Sequence, residues 1–446
     1  MIHQLYNLIA TLFLIVCTPA LLLRGLLQRP FRQELAHRFG CFPCLPPGKI
    51  IWVHAASVGE VFCAVPLIQR IKREVPQCRI VITTMTRTGN ETARKQIPEA
   101  DGVFFLPLDH PLILRRALDR IRPSLLLIAE TELWPNLLRS CGRKGIPIAL
   151  FNGRISDTSF PRYSRLKFFF KNYLKYISLF LMQTEKDRLR IAEIGAPPAR
   201  TRVTGNIKYD QTPPSSCEDI APLMAKALGL RAGETIFIAG STRPGEEEIL
   251  LTIFRDLRKT VPHLMLLLAP RHLNRLEEVE RIIRKEQIRW IRRTSLPIQP
   301  SQLTERPAGM PEVILLDTLG ELTKLYSLGT LVFIGGSLVP LGGQNPLEPL
   351  FFKKCVLFGP HMSNFAEIAR LLTEAKGAIQ VRDREDLANQ IRYLLENEVA
   401  RKEVGEKGYE LLQKHRGATD RIFEAIRPFL SETGHANRTR PHPSWI

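Results

Sequence analysis

The stretch Leu331-Val-Phe-Ile-Gly-Gly-Ser337, followed closely by Gly342-Gly-Gln-Asn-Pro-Leu-Glu-Pro349, indicates how this chain is expected to fold. Its apolar residues predict a buried strand, and the glycines after them permit a tight turn. We expect a helix to begin at Asn345, because Asn is a good N-cap residue and Pro346 would stand in the first turn. A helix that begins at the carboxyl end of a strand presents free N–H groups, so the stretch predicts a phosphate-binding site in an α/β domain.

Glu348 is unusual for such a site, because a carboxylate repels a phosphate. It suits neutral sugar hydroxyls, as an acidic residue does when it binds a ribose in dinucleotide-binding folds. Asn345 and Glu348 together therefore indicate a nucleotide-sugar site. The alternative is an Asn-x-x-Glu capping box that closes the helix end and needs no ligand.

The composition is that of a globular protein long enough for two domains, with 446 residues of which 44% are hydrophobic and 24% are charged. Its formal net charge of +19 predicts an anionic partner, which could be nucleic acid, anionic lipid or a phosphorylated substrate. The eight cysteines are scattered, and Cys41-x-x-Cys44 has no second pair to complete a zinc site. We expect all of them to be reduced.

Residues 1–28 are predicted to form a membrane anchor. No charged residue occurs between Gln4 and Leu23, and such a run approaches the roughly 20 residues that span a bilayer. The positive residues come afterwards, which predicts that the body of the protein lies on the cytoplasmic side; they are Arg24, Arg29, Arg32 and Arg38. A cleaved signal peptide is disfavoured because it needs positive residues ahead of the apolar run. A segment that lies in the membrane interface remains an alternative.

Short apolar runs alternate with amphipathic stretches along the rest of the chain, which predicts parallel sheets covered by helices on both faces. We expect two doubly wound, Rossmann-like domains at residues 29–209 and 218–405, joined by a polar linker at 210–217, with a cleft between them. Residues 406–430 are expected to be a helical segment packed on the body, and 431–446 a polar tail. Ligands of open α/β sheets bind beyond the carboxyl ends of the strands, so those loops are where site residues are expected.

Glu60 is the candidate catalytic base of the first domain. It lies in His54-Ala-Ala-Ser-Val-Gly-Glu60, where a predicted strand ends and a helix begins. A carboxylate at that place can take a proton from an attacking hydroxyl. The alternative is a capping box made by Ser57 and Glu60. A serine hydrolase is set aside, because the chain has no Gly-x-Ser-x-Gly elbow.

Three further charged residues are site candidates, and two of them follow predicted strands directly. Glu130 ends the apolar run Leu125–Ala129, and a carboxylate there needs a cation or a ligand beside it. Lys208 is the candidate neighbour, either in a site or in a structural ion pair. Arg271 follows another predicted strand and could meet an anionic ligand with its guanidinium fork, although a surface salt bridge is the alternative.

The segment Phe160–Lys175 interleaves cations with aromatic residues. This pattern is typical of a helix on an anionic membrane surface, and nucleic-acid-binding segments share the same composition. The predicted anchor favours the membrane, so we expect an anionic membrane partner and no nucleic acid. A core helix with a solvated basic face is the alternative.

These motifs together resemble those of the 3-deoxy-D-manno-octulosonic acid (Kdo) transferases of lipopolysaccharide biosynthesis. The resemblance extends from the N-terminus to about residue 425, and its motifs are His54–Glu60, Ala129–Asn136, Gly205–Lys208, Leu319–Glu321 and Gly342–Glu348. It implies a GT-B fold with two domains. It also implies transfer of Kdo from CMP-Kdo to the glucosamine disaccharide of a lipid A precursor at the bacterial inner membrane.

The resemblance implies roles for individual residues. Glu60 corresponds to the family's catalytic base, and Glu130 and Lys208 correspond to residues that stabilise the transition state. The implied contacts with CMP are Pro270, Arg271, Leu319, Gly320, Glu321, Asn345, Pro346, Leu347 and Glu348. Gln344 stands where the family pattern has His, so no positive charge is expected at that position.

The expected reaction is a single displacement with inversion, in which CMP leaves as a phosphate anion. No Asp-x-Asp motif stands out in the sequence, so we expect neither a cofactor nor an obligatory divalent cation. Two other functions remain as alternatives: another GT-B glycosyltransferase that uses a UDP-sugar, and a non-enzymatic membrane-bound adaptor.

Overall fold

The computed structural model describes residues 2–27, 29–211, 217–230, 234–296 and 312–431. The chain divides into two compact units, one formed by Met1–Gln211 with Arg416–Ile446 and the other by Thr212–His415. Within the described residues, each unit contains one seven-stranded parallel sheet, so the prediction of two parallel α/β domains is confirmed. Most of the predicted linker and the predicted tail after Ser431 lie outside the described residues.

The first unit's sheet consists of apolar strands that are buried because helices cover both faces. These strands are β1 (Ile50–His54), β2 (Arg79–Thr84), β3 (Gly102–Phe105), β4 (Leu125–Ala129), β5 (Ile148–Gly153), β6 (Leu179–Met182) and β7 (Thr201–Val203). They are ordered β3-β2-β1-β4-β5-β6-β7. The chain therefore reverses its direction of winding between β1 and β4, which is where α/β sheets open a crevice at their carboxyl edge.

Helices of the first unit connect these strands and precede them. They are α1 (Ile2–Leu27), α2 (Arg29–Arg38), α3 (Val58–Glu74), α4 (Arg87–Gln96), α5 (Pro111–Ile121), α6 (Pro135–Arg143), α7 (Phe160–Arg165), α8 (Lys167–Leu174) and α9 (Glu185–Ile194). The basic aromatic segment is thus two short helices, α7 and α8, that meet at Leu166. No helix among the described residues combines the length and the apolar character that a bilayer crossing requires. The predicted spanning anchor is therefore not confirmed.

The second unit repeats the same plan. Its strands are β8 (Thr235–Thr242), β9 (Leu264–Pro270), β10 (Trp290–Arg292), β11 (Val313–Leu315), β12 (Leu331–Ile334), β13 (Cys355–Phe358) and β14 (Ile379–Gln380). Their order is β10-β11-β9-β8-β12-β13-β14, so winding reverses between β8 and β12. The helices are α10 (Cys217–Ala227), α11 (Glu246–Leu257), α12 (Leu276–Lys285), α13 (Leu322–Leu325), α14 (Ala366–Glu374), α15 (Arg384–Glu396) and α16 (Glu398–His415).

The boundary expected at residue 405 falls inside α16. This helix lies close to the backbone of its own unit, because a Cβ added at Gly405 would stand 2.0 Å from the carbonyl oxygen of Lys353. The last described helix, α17 (Ala418–Ser431), belongs to the first unit. Its apolar residues Ile422, Phe423 and Ile426 complete the core beneath β1 and β4. Asp210 fixes the start of α17 by accepting the N–H of Gly417 at 2.6 Å and that of Thr419.

Candidate active site

Glu60 lies at the carboxyl edge of the first unit's sheet, in the first turn of α3 directly after β1. Ser57 is the N-cap of this helix, and its hydroxyl accepts the N–H of Glu60 at 3.4 Å. The Glu60 carboxylate in turn accepts the N–H of Ala56 at 2.7 Å and the hydroxyl of Ser57 at 3.0 Å. The capping interaction weighed from the sequence therefore exists, and it also holds this carboxylate in a fixed place at the sheet edge.

The surroundings of Glu60 tune it to exchange a proton near neutral pH. Burial raises its pKa to about 7, and the negative charges of Glu130 and Glu132 add to the increase. The hydrogen bonds from Ala56 and Ser57 oppose this effect because they favour the ionised form. A carboxyl group with such a pKa is suited to general base catalysis, which works best when the pKa is close to the working pH.

Glu130 follows β4, on the other side of the point where winding reverses. Its backbone has φ 54°, a left-handed conformation that is uncommon for residues other than glycine, and its N–H donates to the carbonyl of Phe151 at 2.9 Å. Its carboxylate pairs with Arg154, whose Nε lies 3.1 Å from Oε2. Sequence reasoning identified Glu130 and missed Arg154. Arg154 could have been found from the polar turn Asn152-Gly153-Arg154, because this turn follows the apolar part of β5, and β5 is the strand beside β4.

Lys208 reaches the same region through a turn that Asn152 holds. Asn152 is buried with φ 53°, and its side-chain oxygen accepts the N–H of Ile207 at 3.0 Å. Its side-chain nitrogen lies 3.5 Å from the sulfur of Cys63, a buried residue of α3. Asn152 therefore connects three segments: the end of β5, the 3₁₀ helix Ile207–Asp210 and α3.

The charged residues predicted for the first unit come together around Cys63. Burial raises the pKa of this thiol to about 12. The positive charges of Lys208 and Arg154 lower that pKa, whereas the negative charges of Glu130 and Glu60 raise it. All four side chains are therefore near enough to act on one buried sulfur, so the structure brings Glu60, Glu130 and Lys208 into one region of the first unit.

In the second unit, the N–H groups of the glycine turn after β12 are already occupied. The carboxylate of Glu246, at the start of α11, accepts the N–H of Gly336 at 2.6 Å and those of Ser337 and Leu338 at 3.0 Å each. It also accepts the N–H of Arg243 at 2.9 Å. The protein's own carboxylate thus fills the anion-binding turn, and sequence reasoning missed Glu246.

The prediction of a helix that begins at Asn345 is wrong. The structure has only the short 3₁₀ helix Pro349–Phe352 there. An α-helix starting at Asn345 would need its first hydrogen bond from the nitrogen of residue 349 to the Asn345 carbonyl, and Pro349 has no N–H to donate. The Asn345 side chain instead accepts the N–H of Leu347 at 3.1 Å and donates to Glu348 at 3.2 Å.

Glu348 is partly buried and is held by residues from neighbouring loops. Its second carboxylate oxygen accepts the hydroxyl of Thr323 at 2.7 Å. Burial raises the pKa of Glu348, and the positive charge of Arg271 counteracts that increase. Arg271 itself is exposed directly after β9, where its N–H donates to the carbonyl of Thr242 at 3.0 Å. The structure therefore brings Asn345, Glu348 and Arg271 into one region of the second unit.

Several arginine side chains lie close together at the carboxyl ends of β8 and β9. Arg243 contacts the Nε2 atom of His272. The pKa of His272 is lowered by burial and by the positive charges of Arg243, Arg271 and Arg275. Arg275 is neutralised by Glu247, 2.9 Å away, and by Glu278. Arg243 and Arg271 therefore make this edge of the sheet a place where an anionic group can bind. No role was predicted for Arg243 from the sequence.

The loop Leu319–Glu321 makes its polar contacts with residues other than Arg243, Arg271 and Asn345. Glu321 pairs with Arg293, 3.3 Å away, and accepts the hydroxyl of Thr318. Gly320 has φ 89°, and its side of the backbone is open. The loop leads into α13, whose Thr323 contacts Glu348. The loop is thus linked to the Asn345–Glu348 segment through Thr323, while Glu321 is engaged elsewhere.

The described residues contain no group of three or more His, Cys, Asp or Glu side chains placed to hold a metal ion. Independence of divalent cations stays a prediction.

Each unit places charged side chains at the carboxyl edge of a parallel sheet, at the point where winding reverses. That position is where α/β enzymes of the doubly wound class bind their ligands. Similarity to solved structures agrees with this class. A putative UDP-N-acetylglucosamine 2-epimerase from Listeria monocytogenes matches 87% of this chain and 98% of its own with a TM-score of 0.57. At 13% identity, that likeness concerns the fold alone.

Sequence comparisons identify the family. Residues 33–211 match the family model described as 3-Deoxy-D-manno-octulosonic-acid transferase (kdotransferase). The 3-deoxy-D-manno-octulosonic acid transferase of Haemophilus influenzae is 36% identical over 427 residues, covering 94% of this chain and 98% of that protein. The transferase of the same name from Chlamydophila psittaci is 31% identical, covering 96% of each chain. The chain belongs to the Kdo transferase family of glycosyltransferases.

We expect Glu246 to be essential for the stability of the second unit. Replacing it in Glu246→Ala leaves four backbone N–H groups without their acceptor and should lower the free energy of unfolding by about 3 kcal/mol or more. The measurement is urea unfolding followed by circular dichroism. Glu248→Gln is the matched control, because Glu248 lies in the same turn but is exposed, and it should change stability by less than about 0.5 kcal/mol. Equal effects of the two substitutions would contradict this account of the turn.

Proposed function

We propose that this protein transfers Kdo from CMP-Kdo to the glucosamine disaccharide of a lipid A precursor, releasing CMP. The observation that carries this proposal is the Glu60 carboxylate, fixed at the sheet edge of the first unit with a pKa of about 7. Membership in the Kdo transferase family supports the identity of the donor and of the reaction.

Glu60 is the proposed general base. The acceptor hydroxyl is too weakly acidic to ionise at neutral pH, so its proton must leave as its oxygen attacks the anomeric carbon of Kdo. The new carbon–oxygen bond forms as the bond between that carbon and the phosphate oxygen breaks. The proton passes to Glu60, and CMP leaves with the bonding electron pair as a phosphate anion. A single displacement of this kind inverts the configuration at the anomeric carbon.

Glu130 and Lys208 are proposed to stabilise the transition state of this displacement. The sugar ring gains positive character as the leaving group departs, and a nearby carboxylate such as Glu130 opposes that charge. Lys208 would meet the negative charge of the donor, either at the Kdo carboxylate or at the departing phosphate. Arg154 adds a positioning role, since its ion pair holds Glu130 in place and balances its charge beside Glu60.

The second unit is proposed to bind the CMP portion of the donor. Arg271 and Arg243 would bind the phosphate, because Glu246 already occupies the N–H groups of the glycine turn. Asn345 and Glu348 would bind hydroxyl groups of the ribose, since Glu348 is held by hydroxyl and amide donors and not by a cation. Further proposed contacts follow from the family resemblance; they are Pro270, Leu319, Gly320, Glu321, Pro346 and Leu347.

We also propose that the protein is a GT-B glycosyltransferase and that it works at the cytoplasmic face of the bacterial inner membrane. Two parallel α/β units in one chain support the GT-B class. The proposed acceptor is a lipid, which supports the membrane location.

The role of Glu60 is tested by Glu60→Gln. The amide keeps the size of the side chain but cannot accept a proton, so Kdo transfer should fall about a thousandfold while binding of CMP is retained. Mass spectrometry of the lipid product and calorimetry with CMP, using UDP as competitor, measure the two properties. Glu132→Gln is the control, because Glu132 acts on Glu60 through its charge only. Near-normal transfer by Glu60→Gln would remove Glu60 from the base role, and preference for UDP would remove CMP-Kdo as donor.

Arg154→Ala should shift the pH dependence of transfer. With Arg154 gone, the negative charge of Glu130 would act on Glu60 without compensation, and the pKa of Glu60 should rise above its value of about 7. Since the ionised form is the active base, the rate should drop by about tenfold per pH unit below that pKa. The rising limb of kcat/KM should therefore move to higher pH in the variant and stay close to its original position in Arg154→Lys. An unchanged profile in Arg154→Ala would contradict the proposed role.

Transfer should not require a divalent cation. The charge of the departing phosphate would be met by arginine side chains, so EDTA should leave the rate of transfer nearly unchanged. The measurement is the initial rate of product formation before and after chelation. Loss of activity that added magnesium restores would overturn this part of the scheme.

A further inference from the structure

Strand β5 contains one residue more than its neighbour β6 near its carboxyl end. The pairing runs from Leu150 to Gly153 on β5 but only from Phe180 to Met182 on β6. An extra residue of this kind is a β-bulge, which redirects side chains and is frequent beside active sites. Asn152 lies within the bulge and has φ 53°. The irregularity therefore occurs at the carboxyl edge of the sheet, where the candidate site is.

The bulge turns the side chain of Asn152 toward the face of the sheet that α3 covers. Side chains of a regular strand alternate between the two faces, so the residue after Phe151 is expected to point away from the core that Phe151 enters. Asn152 instead contacts Cys63 and Ile207, which belong to that same core. Two consecutive side chains of β5 thus point to one face, and the second is a fully buried amide.

The side chain of Asn152, and not its backbone, accounts for asparagine at this position. Glycine adopts a positive φ more readily than asparagine does. A buried amide also loses its contacts with water, so it needs hydrogen-bond partners in the protein. The side-chain oxygen accepts the N–H of Ile207 at 3.0 Å, and the side-chain nitrogen lies 3.5 Å from the sulfur of Cys63. The main-chain carbonyl of Asn152 accepts the side-chain N–H of Gln183 at 2.9 Å.

Each contact of the Asn152 side chain leads to a residue of the candidate site. Ile207 directly precedes Lys208. Cys63 follows Glu60 by three residues in α3, so both side chains lie on one side of that helix. Burial raises the pKa of Cys63 and the positive charge of Lys208 lowers it, so Lys208 is also near this helix. Asn152 therefore stands between the segment that carries Lys208 and the helix that carries Glu60.

We propose that Asn152 is a positioning residue for Lys208. Its side-chain oxygen fixes the start of the 3₁₀ helix Ile207–Asp210, and with it the place of the Lys208 ammonium group relative to Glu60. The inference rests on the proposed function, in which Lys208 meets the negative charge of the donor. Electrostatic stabilisation of a transition state needs charges that are already in place when the reaction occurs. Because the lysine stem is flexible, the ammonium group depends on a fixed backbone.

The segment that carries Lys208 is also attached at both of its ends. At one end, Thr204 donates its N–H to the carbonyl of Met182 at 2.9 Å. At the other end, Asp210 accepts N–H groups from the start of α17. Between these attachments, the bond from Asn152 holds the backbone directly ahead of Lys208. Its loss should therefore loosen the middle of the segment while the ends remain bound to the first unit.

The first test is Asn152→Gly in the full chain, because glycine keeps the left-handed backbone and removes only the amide. The kcat of Kdo transfer should fall about tenfold or more, since a small displacement of a catalytic group is costly. CMP binding, measured by calorimetry, should stay at the parental value. Ser178→Ala is the matched control. Its hydroxyl accepts the N–H of Ile148 at 3.3 Å, at the opposite end of β5, so this variant should keep the parental kcat.

A double-mutant cycle with Lys208→Ala separates positioning from a general loss of stability. In the Lys208→Ala background, Asn152→Gly should change the remaining rate by less than about twofold, because the group that it positions is absent. Two effects that multiply independently would overturn the proposal, and so would a parental kcat in Asn152→Gly. A parental rate in Lys208→Ala would show that the role proposed for Lys208 is wrong, and this inference would fall with it.

Asn152→Asp provides a second variant, because aspartate keeps an oxygen that can accept the N–H of Ile207. The rates are compared well above pH 7, where Glu60 is ionised in each chain, and thermal unfolding identifies the variants that fold. Asn152→Asp should transfer Kdo faster than Asn152→Gly and faster than Lys208→Ala. A rate as low as that of Lys208→Ala would refute the positioning role, including the case in which the glycine variant does not fold.

Discussion

The hydrogen bonds from Ala56 and Ser57 to the Glu60 carboxylate are the contacts on which the first unit's site depends. Burial beside Glu130 and Glu132 favours the neutral carboxyl, and these two donors favour the ionised form. The balance places the pKa near 7, where the group can both lose and accept a proton. Because the same contacts cap α3, the helix start and the chemical group are fixed together.

The two units use the same edge of the same kind of sheet in opposite ways. In the first unit, carboxylates of Glu60 and Glu130 remain at the point where winding reverses, with Arg154 and Lys208 beside them. In the second unit, Glu246 is bonded to the backbone and holds the turn after β12 closed. The groups left at that edge are then mainly cations. One unit is therefore suited to accept a proton and the other to bind an anion.

The sequence predicted those features that depend on local pattern. Continuous apolar runs such as Leu125–Ala129 and Leu331–Ile334 are strands because parallel sheets are buried on both faces. Glu60, Glu130 and Lys208 could be named because each follows a strand or closes a motif, and strands of one sheet end at a common edge. Their proximity to one another depended on the strand order, which put β1 beside β4.

Other features depend on partners that are distant in the chain and were missed for that reason. Glu246 is one of three consecutive acidic residues at a helix start, and only the fold brings the turn after β12 to it, some 90 positions later. Arg154 is exposed and has no pattern of its own until β5 lies beside β4. The helix expected at Asn345 failed for a local reason, since Pro349 cannot donate the first hydrogen bond.

The return of α17 to the first unit has a consequence for synthesis on the ribosome. The core beneath β1 and β4 needs Ile422, Phe423 and Ile426, which are translated after the whole of the second unit. The second unit is continuous in the chain and has all its residues while the first still lacks a helix. A nascent chain thus has all residues of its later-made unit before the earlier one has the helix that closes its core.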